Sequence, residues 1–126
     1  MSVVNAADSS AGQWTPTISA GSGTLTSYTV LASNYRPHAY NMVYFELRID
    51  ITTNGSAAGY VQATLPFPAA GIAVFAGRSL SGKMLQGQVV AGSTAFGIVN
   101  YDNTYPGADG ASLFMSGWYR AASEGP

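Results

Sequence analysis

The 126-residue chain has no cysteine, so disulfides and thiolate metal sites are excluded. Charge is nearly as scarce. Asp, Glu, Lys and Arg make up 9% of the residues, against about 25% in ordinary domains. The five basic residues, Arg36, Arg48, Arg78, Lys83 and Arg120, are scattered along the chain. No basic run is present to neutralise a phosphate backbone, which sets nucleic acid aside as a partner. A surface so poor in charge carries little field, so the expected partner is neutral or weakly charged, or part of the surface is covered by other subunits. His38 is the single histidine, which leaves no basis for a histidine-based metal site. No cofactor is expected. No stretch approaches the ~20 apolar residues of a membrane span, and the opening MSVVNAADSSAG has neither the basic start nor the apolar run of a signal peptide. The expectation is a protein made in the cytoplasm without a signal and not inserted in a membrane.

Gly, Ser, Thr, Ala and Asn take the place of charge. Residues 1–13 read as a flexible lead-in and 14–126 as one domain. Turn residues punctuate the chain at short intervals and no helical period persists. Strands are expected over Trp14–Ala20, Thr24–Ala32, Met42–Thr53, Tyr60–Leu65, Ile72–Arg78, Lys83–Val90, Thr94–Tyr101 and Ala111–Tyr119. In Met42–Thr53, Val43, Phe45, Leu47, Ile49 and Ile51 alternate strictly with Tyr44, Glu46, Arg48, Asp50 and Thr52, the pattern of a half-buried strand. The turn Asn54-Gly55-Ser56 makes Tyr60–Leu65 its expected hairpin partner. About eight short strands at this spacing imply an all-β, antiparallel, jelly-roll-like sandwich. The last strand is apolar on both faces, with Leu113, Met115 and Tyr119 on one and Phe114 and Trp118 on the other. Such a strand needs cover on both sides, from a loop or from a neighbouring subunit.

Catalytic constellations are sparse. His38 follows Arg36-Pro37 in a loop, with nothing in the sequence to build a Ser-His-acid triad around it. Glu46 and Asp50 share one strand face but lie roughly 13 Å apart at strand rise, beyond the roughly 5–9.5 Å of a glycosidase pair. Chemistry for binding is concentrated instead in Asn100–Gly110. There Tyr101 and Tyr105 offer faces to a sugar ring, and Asp102, Asn103 and Asp109 offer partners to hydroxyls. The same residues also suit a turn-rich loop bonding its own backbone. Trp14, Tyr35 and His38 are weaker binding candidates. The loop oxygens match no EF-hand spacing.

The run Gln13-Trp14-Thr15-Pro16-Thr17-Ile18 resembles the G-x-W/Y-T-P-T opening of C-terminal tip domains in phage tail fibres and related virion spike proteins. The stretch Val43 to Pro68, with its TTNGSAAG turn and LPFP stop, is similar to their central hairpin. FAGRSLSGKMLQG and NYDNTYPGADGASLFMSGWY are similar to their closing strands. The resemblance covers about 14 to 119. It implies a β-sandwich tip, a homotrimer on an upstream fibre shaft or particle protein, carried on the virion and contacting host polysaccharide such as capsule or lipopolysaccharide. It transfers no binding residue. The expected function is therefore non-catalytic, carbohydrate-binding host recognition. The alternatives are a purely structural trimerising cap or decoration domain, and a glycan hydrolase.

Overall fold

The computed structural model describes residues 12–122. Among the described residues nine strands form one antiparallel sheet: β1 (Gly12–Gln13), β2 (Ile18–Ser22), β3 (Ser27–Pro37), β4 (Met42–Thr53), β5 (Ala58–Thr64), β6 (Ala73–Ser79), β7 (Met84–Val89), β8 (Ala95–Asn100) and β9 (Ser112–Arg120). A 3-10 turn, Ala39–Asn41, joins β3 to β4. The strand order is β1-β3-β4-β9-β6-β7-β8-β5-β2.

The sheet curls over on itself, and the aromatic core shows how far. Phe45 on β4 lies 5.4 Å, centroid to centroid, from Phe96 on β8. In a flat sheet those strands, four places apart, would be about 19 Å apart at roughly 4.8 Å per strand. Phe75 on β6 fills the bend, 4.8 Å from Phe45 and 5.1 Å from Phe96, edge to face with both. The all-β antiparallel architecture read from the sequence is thus realised as a sandwich made from one continuous sheet. Val43, Phe45, Leu47, Ile49 and Ile51 are all buried in its core, as their alternation requires. Gly117 on β9 has a packing reason: a Cβ there would come within 2.5 Å of the Phe75 ring.

Two strand assignments change. Both edges of β4 are occupied, by β3 and β9, so β5 is not its hairpin partner. After the turn at Asn54 the chain crosses to the opposite half, where β5 pairs with β2 and β8. The strand expected over Trp14–Ala20 begins only at Ile18, and a two-residue strand precedes it. Gly12 and Gln13 pair with β3 at one edge of the sheet, and Ile18–Ser22 pair with β5 at the other. Gly12 and Gln13 thus belong to the sheet and not to the lead-in expected over 1–13, whose residues 1–11 lie outside the described residues.

On β9, Leu113, Met115 and Tyr119 are buried. The opposite face is covered in part by side chains of β4 and the β3–β4 turn. Arg48 sits 4.9 Å above the Phe114 ring, and Tyr44 and His38 flank Trp118. Tyr119 ties the bottom of the core to the Pro66–Pro68 segment: its hydroxyl accepts from Phe67 N at 3.1 Å and donates to Phe67 O at 3.0 Å. Burial pushes this phenol up to about 12, partly offset by the bond from the Phe67 backbone.

A raised folded pKa stabilises the fold fully below the ordinary value of 10 and loses that contribution as pH climbs towards 12. At about 1.4 kcal/mol per pH unit, Tyr119 contributes a fall of up to about 2–3 kcal/mol across that window. Urea unfolding followed through the same window should show a shallower loss for Tyr119→Phe than for the native chain; parallel slopes would contradict the assignment.

Candidate functional site

The loop Asn100–Gly110 is divided by its own hydrogen bonds. Its first half is a tight turn at the end of β8. The N–H of Asn103 bonds Asn100 O at 2.8 Å, with Asn103 in the left-handed region at φ 68. Asp102 accepts from both the backbone N–H and the hydroxyl of Thr104, and Lys83 Nζ stands 3.5 Å from its other oxygen. Those bonds, Thr104 first and Lys83 after it, hold the Asp102 carboxyl below the usual range. Tyr101 is exposed.

The second half lies against the Asn54 turn. Tyr105 is half-buried against the core, and its hydroxyl donates to Asn54 Oδ1 at 2.6 Å. Burial raises its phenol. The Gly107 backbone covers the ring so closely that a Cβ there would fall within 2.7 Å of two ring atoms and the hydroxyl oxygen. Asp109 accepts from Asn54 N at 2.7 Å. The structure therefore gives Tyr105 and Asp109 a different role from the ligand contacts expected of them: they clamp the point where the chain crosses between the two halves. Tyr101, Asp102 and Asn103 remain together on an exposed corner.

The weaker candidates also separate. The indole N–H of Trp14 donates to Thr64 O at 2.9 Å, and its ring packs edge-on to Phe45 and Tyr35, so it serves closure of the sheet. Tyr35 stands between Trp14 and Phe67. His38 has its ring 4.8 Å from Trp118.

That last contact leads to the outer face of β3, β4, β9 and β6, where the register aligns side chains in rows. One row runs Arg36, Tyr44, Trp118. The next runs Asn34, Glu46, Ser116, Ala76, Gln86, and the third Ala32, Arg48, Phe114, Arg78, Met84. Rows are two residues apart, about 7 Å at strand rise. Trp118 is 47% exposed and lies 5.2 Å from the Tyr44 ring. Tyr44 and Glu46 sit between two clefts on this face. One, of about 420 Å³, runs along the β1 edge past Gln13, Asn34 and Arg36. The other, of about 620 Å³, extends over Phe114 and Arg78. Together they form a trough with aromatic, amide, carboxylate and guanidinium groups along it.

Asp50 points to the same face but is engaged by Arg48 through two bonds of 3.0 and 3.2 Å, which, with Ser112, hold its carboxyl below the usual range. Among the described residues Glu46 forms no ion pair. The alternation of β4 and the two apolar faces of β9 were both visible in the sequence, but not their adjacency, which depends on register between segments some seventy residues apart. No protein family, curated protein or solved structure matches the chain.

Losing the Tyr105 hydroxyl leaves Asn54 Oδ1 short of one bond, worth about 0.5–1.5 kcal/mol. Tyr105→Phe should lower stability by that amount in urea unfolding and leave glycan binding unchanged. Lost binding with full stability would restore the loop as a ligand surface.

Proposed function

We propose that this chain is a non-catalytic host-recognition module of a fibre or spike on a phage or phage-like particle, and that it binds cell-surface carbohydrate such as capsule or lipopolysaccharide through the outer face of β4 and β9. The observation that carries the reading is the half-exposed Trp118, grouped with Tyr44 and His38 beside a trough edged by Asn34, Glu46 and Ser116. Aromatic faces receive the C–H face of a sugar ring, while amides, hydroxyls and a carboxylate meet its hydroxyl groups. The side chains stand on paired strands, which keeps them in place without ligand. The resemblance to fibre and spike tips supports the particle context and a homotrimer attached to an upstream shaft. Each hydrogen bond to a sugar nets only about 0.5–1.5 kcal/mol, so single sites bind weakly. Three copies on one tip raise avidity by about a hundredfold or more.

The test is a glycan array followed by retention on purified capsule. Trp118→Ala, checked for intact fold, should weaken binding by about tenfold, corresponding to about 1.4 kcal/mol, and Tyr44→Ala should weaken it as well. Unchanged binding in both would remove the site from this face.

A second reading, a trimerising cap with no ligand of its own, is favoured by a separate observation. Ile72 and Val74 are 81% and 73% exposed. The Ala73–Val89 pairing sets half-exposed Val90 beside them, an apolar strip of the kind that marks interaction sites. Light scattering should find a trimer that Val74→Glu dissociates. A native monomer at micromolar concentration would count against assembly through this strip.

A further inference from the structure

Four of the five basic side chains, scattered in sequence, converge on the outer face: Arg36, Arg48, Arg78 and Arg120 occupy outward positions on β3, β4, β6 and β9. Two of them bracket one aromatic ring. In the row Arg48, Phe114, Arg78, Phe114 stands between the two arginines across adjacent strands, with the Arg48 guanidinium 4.9 Å above its ring. Arg48 is already committed to Asp50. Arg78 is exposed and, among the described residues, has no acidic partner.

We infer that this row is an anion subsite of the trough, and that the glycan it takes is acidic, a chain of sugars carrying carboxylates. The inference rests on the carbohydrate-binding reading above and names its substrate class. A guanidinium presents a planar fork of donors that matches a carboxylate with two parallel bonds. Arg78 supplies that fork, and Arg48, held by Asp50 and the Phe114 ring, borders the same cleft. The apolar floor of Phe114 and Met84 lowers competition from water at the fork. Charge selects the class of anion. Asp50 neutralises Arg48, and along the trough Arg36 and Arg78 then face Glu46 alone, which leaves a single net positive charge. That balance suits one carboxylate per binding frame and disfavours doubly charged phosphate or densely sulfated chains, which Glu46 would repel. The trough places the subsite one row beyond Glu46 and two beyond Trp118, so neighbouring sugars of one chain reach the aromatic cluster and the arginine row together.

The experiment compares an oligouronate with its carboxyl-reduced, neutral counterpart by calorimetric titration against the full chain. The native protein should bind the acid form about tenfold more tightly, and the preference should shrink as salt rises from about 0.05 to about 0.5 M, where screening shortens to a few ångström. Arg78→Gln should abolish the preference, so that acid and neutral oligomers bind equally. Arg78→Lys should restore part of it, because charge returns without the fork. Arg78 is exposed, so neither variant disturbs the core. Equal binding of acid and neutral forms, an Arg78→Gln variant that keeps the preference, or tighter binding of a sulfated oligosaccharide would overturn this inference and leave glycan binding through Trp118 standing. Failure of the native chain to bind any member of the set or of a glycan array would overturn both readings together.

Discussion

The two outermost strands of the nine-strand sheet are consecutive in the chain, and four residues, Trp14–Thr17, connect them. Laid flat, eight strand spacings would separate those edges by about 38 Å. The five steps from Gln13 to Ile18 reach at most roughly 18 Å. The sheet must therefore curl until its edges approach, and Trp14 holds them there. Its indole bonds the backbone of Thr64 next to one edge, and its ring packs on Phe45 and Tyr35 from the other half. Its backbone N–H bonds Ser33 O at 3.1 Å on β3, so one residue touches both edges, and two bonds between Thr17 and Thr64 extend the β2–β5 pairing up to that point.

Everything else is arranged by that closure. Curling gives the sheet an inside and an outside, so one set of alternating side chains becomes a closed aromatic core around Phe45, Phe75 and Phe96. The other set becomes a continuous outer surface. Since strands carry the charged and aromatic residues of that surface, its geometry follows from backbone pairing rather than from loop conformation. A chain with few charges thereby gathers most of its positive ones on a single face, where a low overall field still allows a local preference for an anion.

Much of the fold was legible because burial imposes a period. The ten-residue alternation in β4 identifies a strand and its buried face from local sequence alone, and the apolar doubling of β9 signals a central strand that needs cover on both sides. Pairing was harder to read. The Asn54-Gly55 turn has hairpin chemistry, yet β4 has no free edge for β5, a fact set by β3 and by β9 far away in sequence. The site was harder still. Tyr105 and Asp109 have the composition of a sugar-binding loop, but Asn54 engages both, and nothing local distinguishes a residue that will meet ligand from one that will meet a distant turn. Phe114 and Trp118 were visible as a problem of cover; that β4 would supply Arg48 and Tyr44 as their neighbours was not.

The two tryptophans allow a direct measurement of where ligand binds. In a proton–nitrogen correlation spectrum each indole N–H gives its own signal. Trp14 is tied to Thr64 O, whereas Trp118 is half-exposed on the proposed face. Titration with an acidic capsule oligosaccharide should move the Trp118 indole signal and the backbone amides of β4 and β9, with the Trp14 indole unmoved. Shifts confined to the amides of 101–105, with the Trp118 indole fixed, would contradict the account and return recognition to the loop.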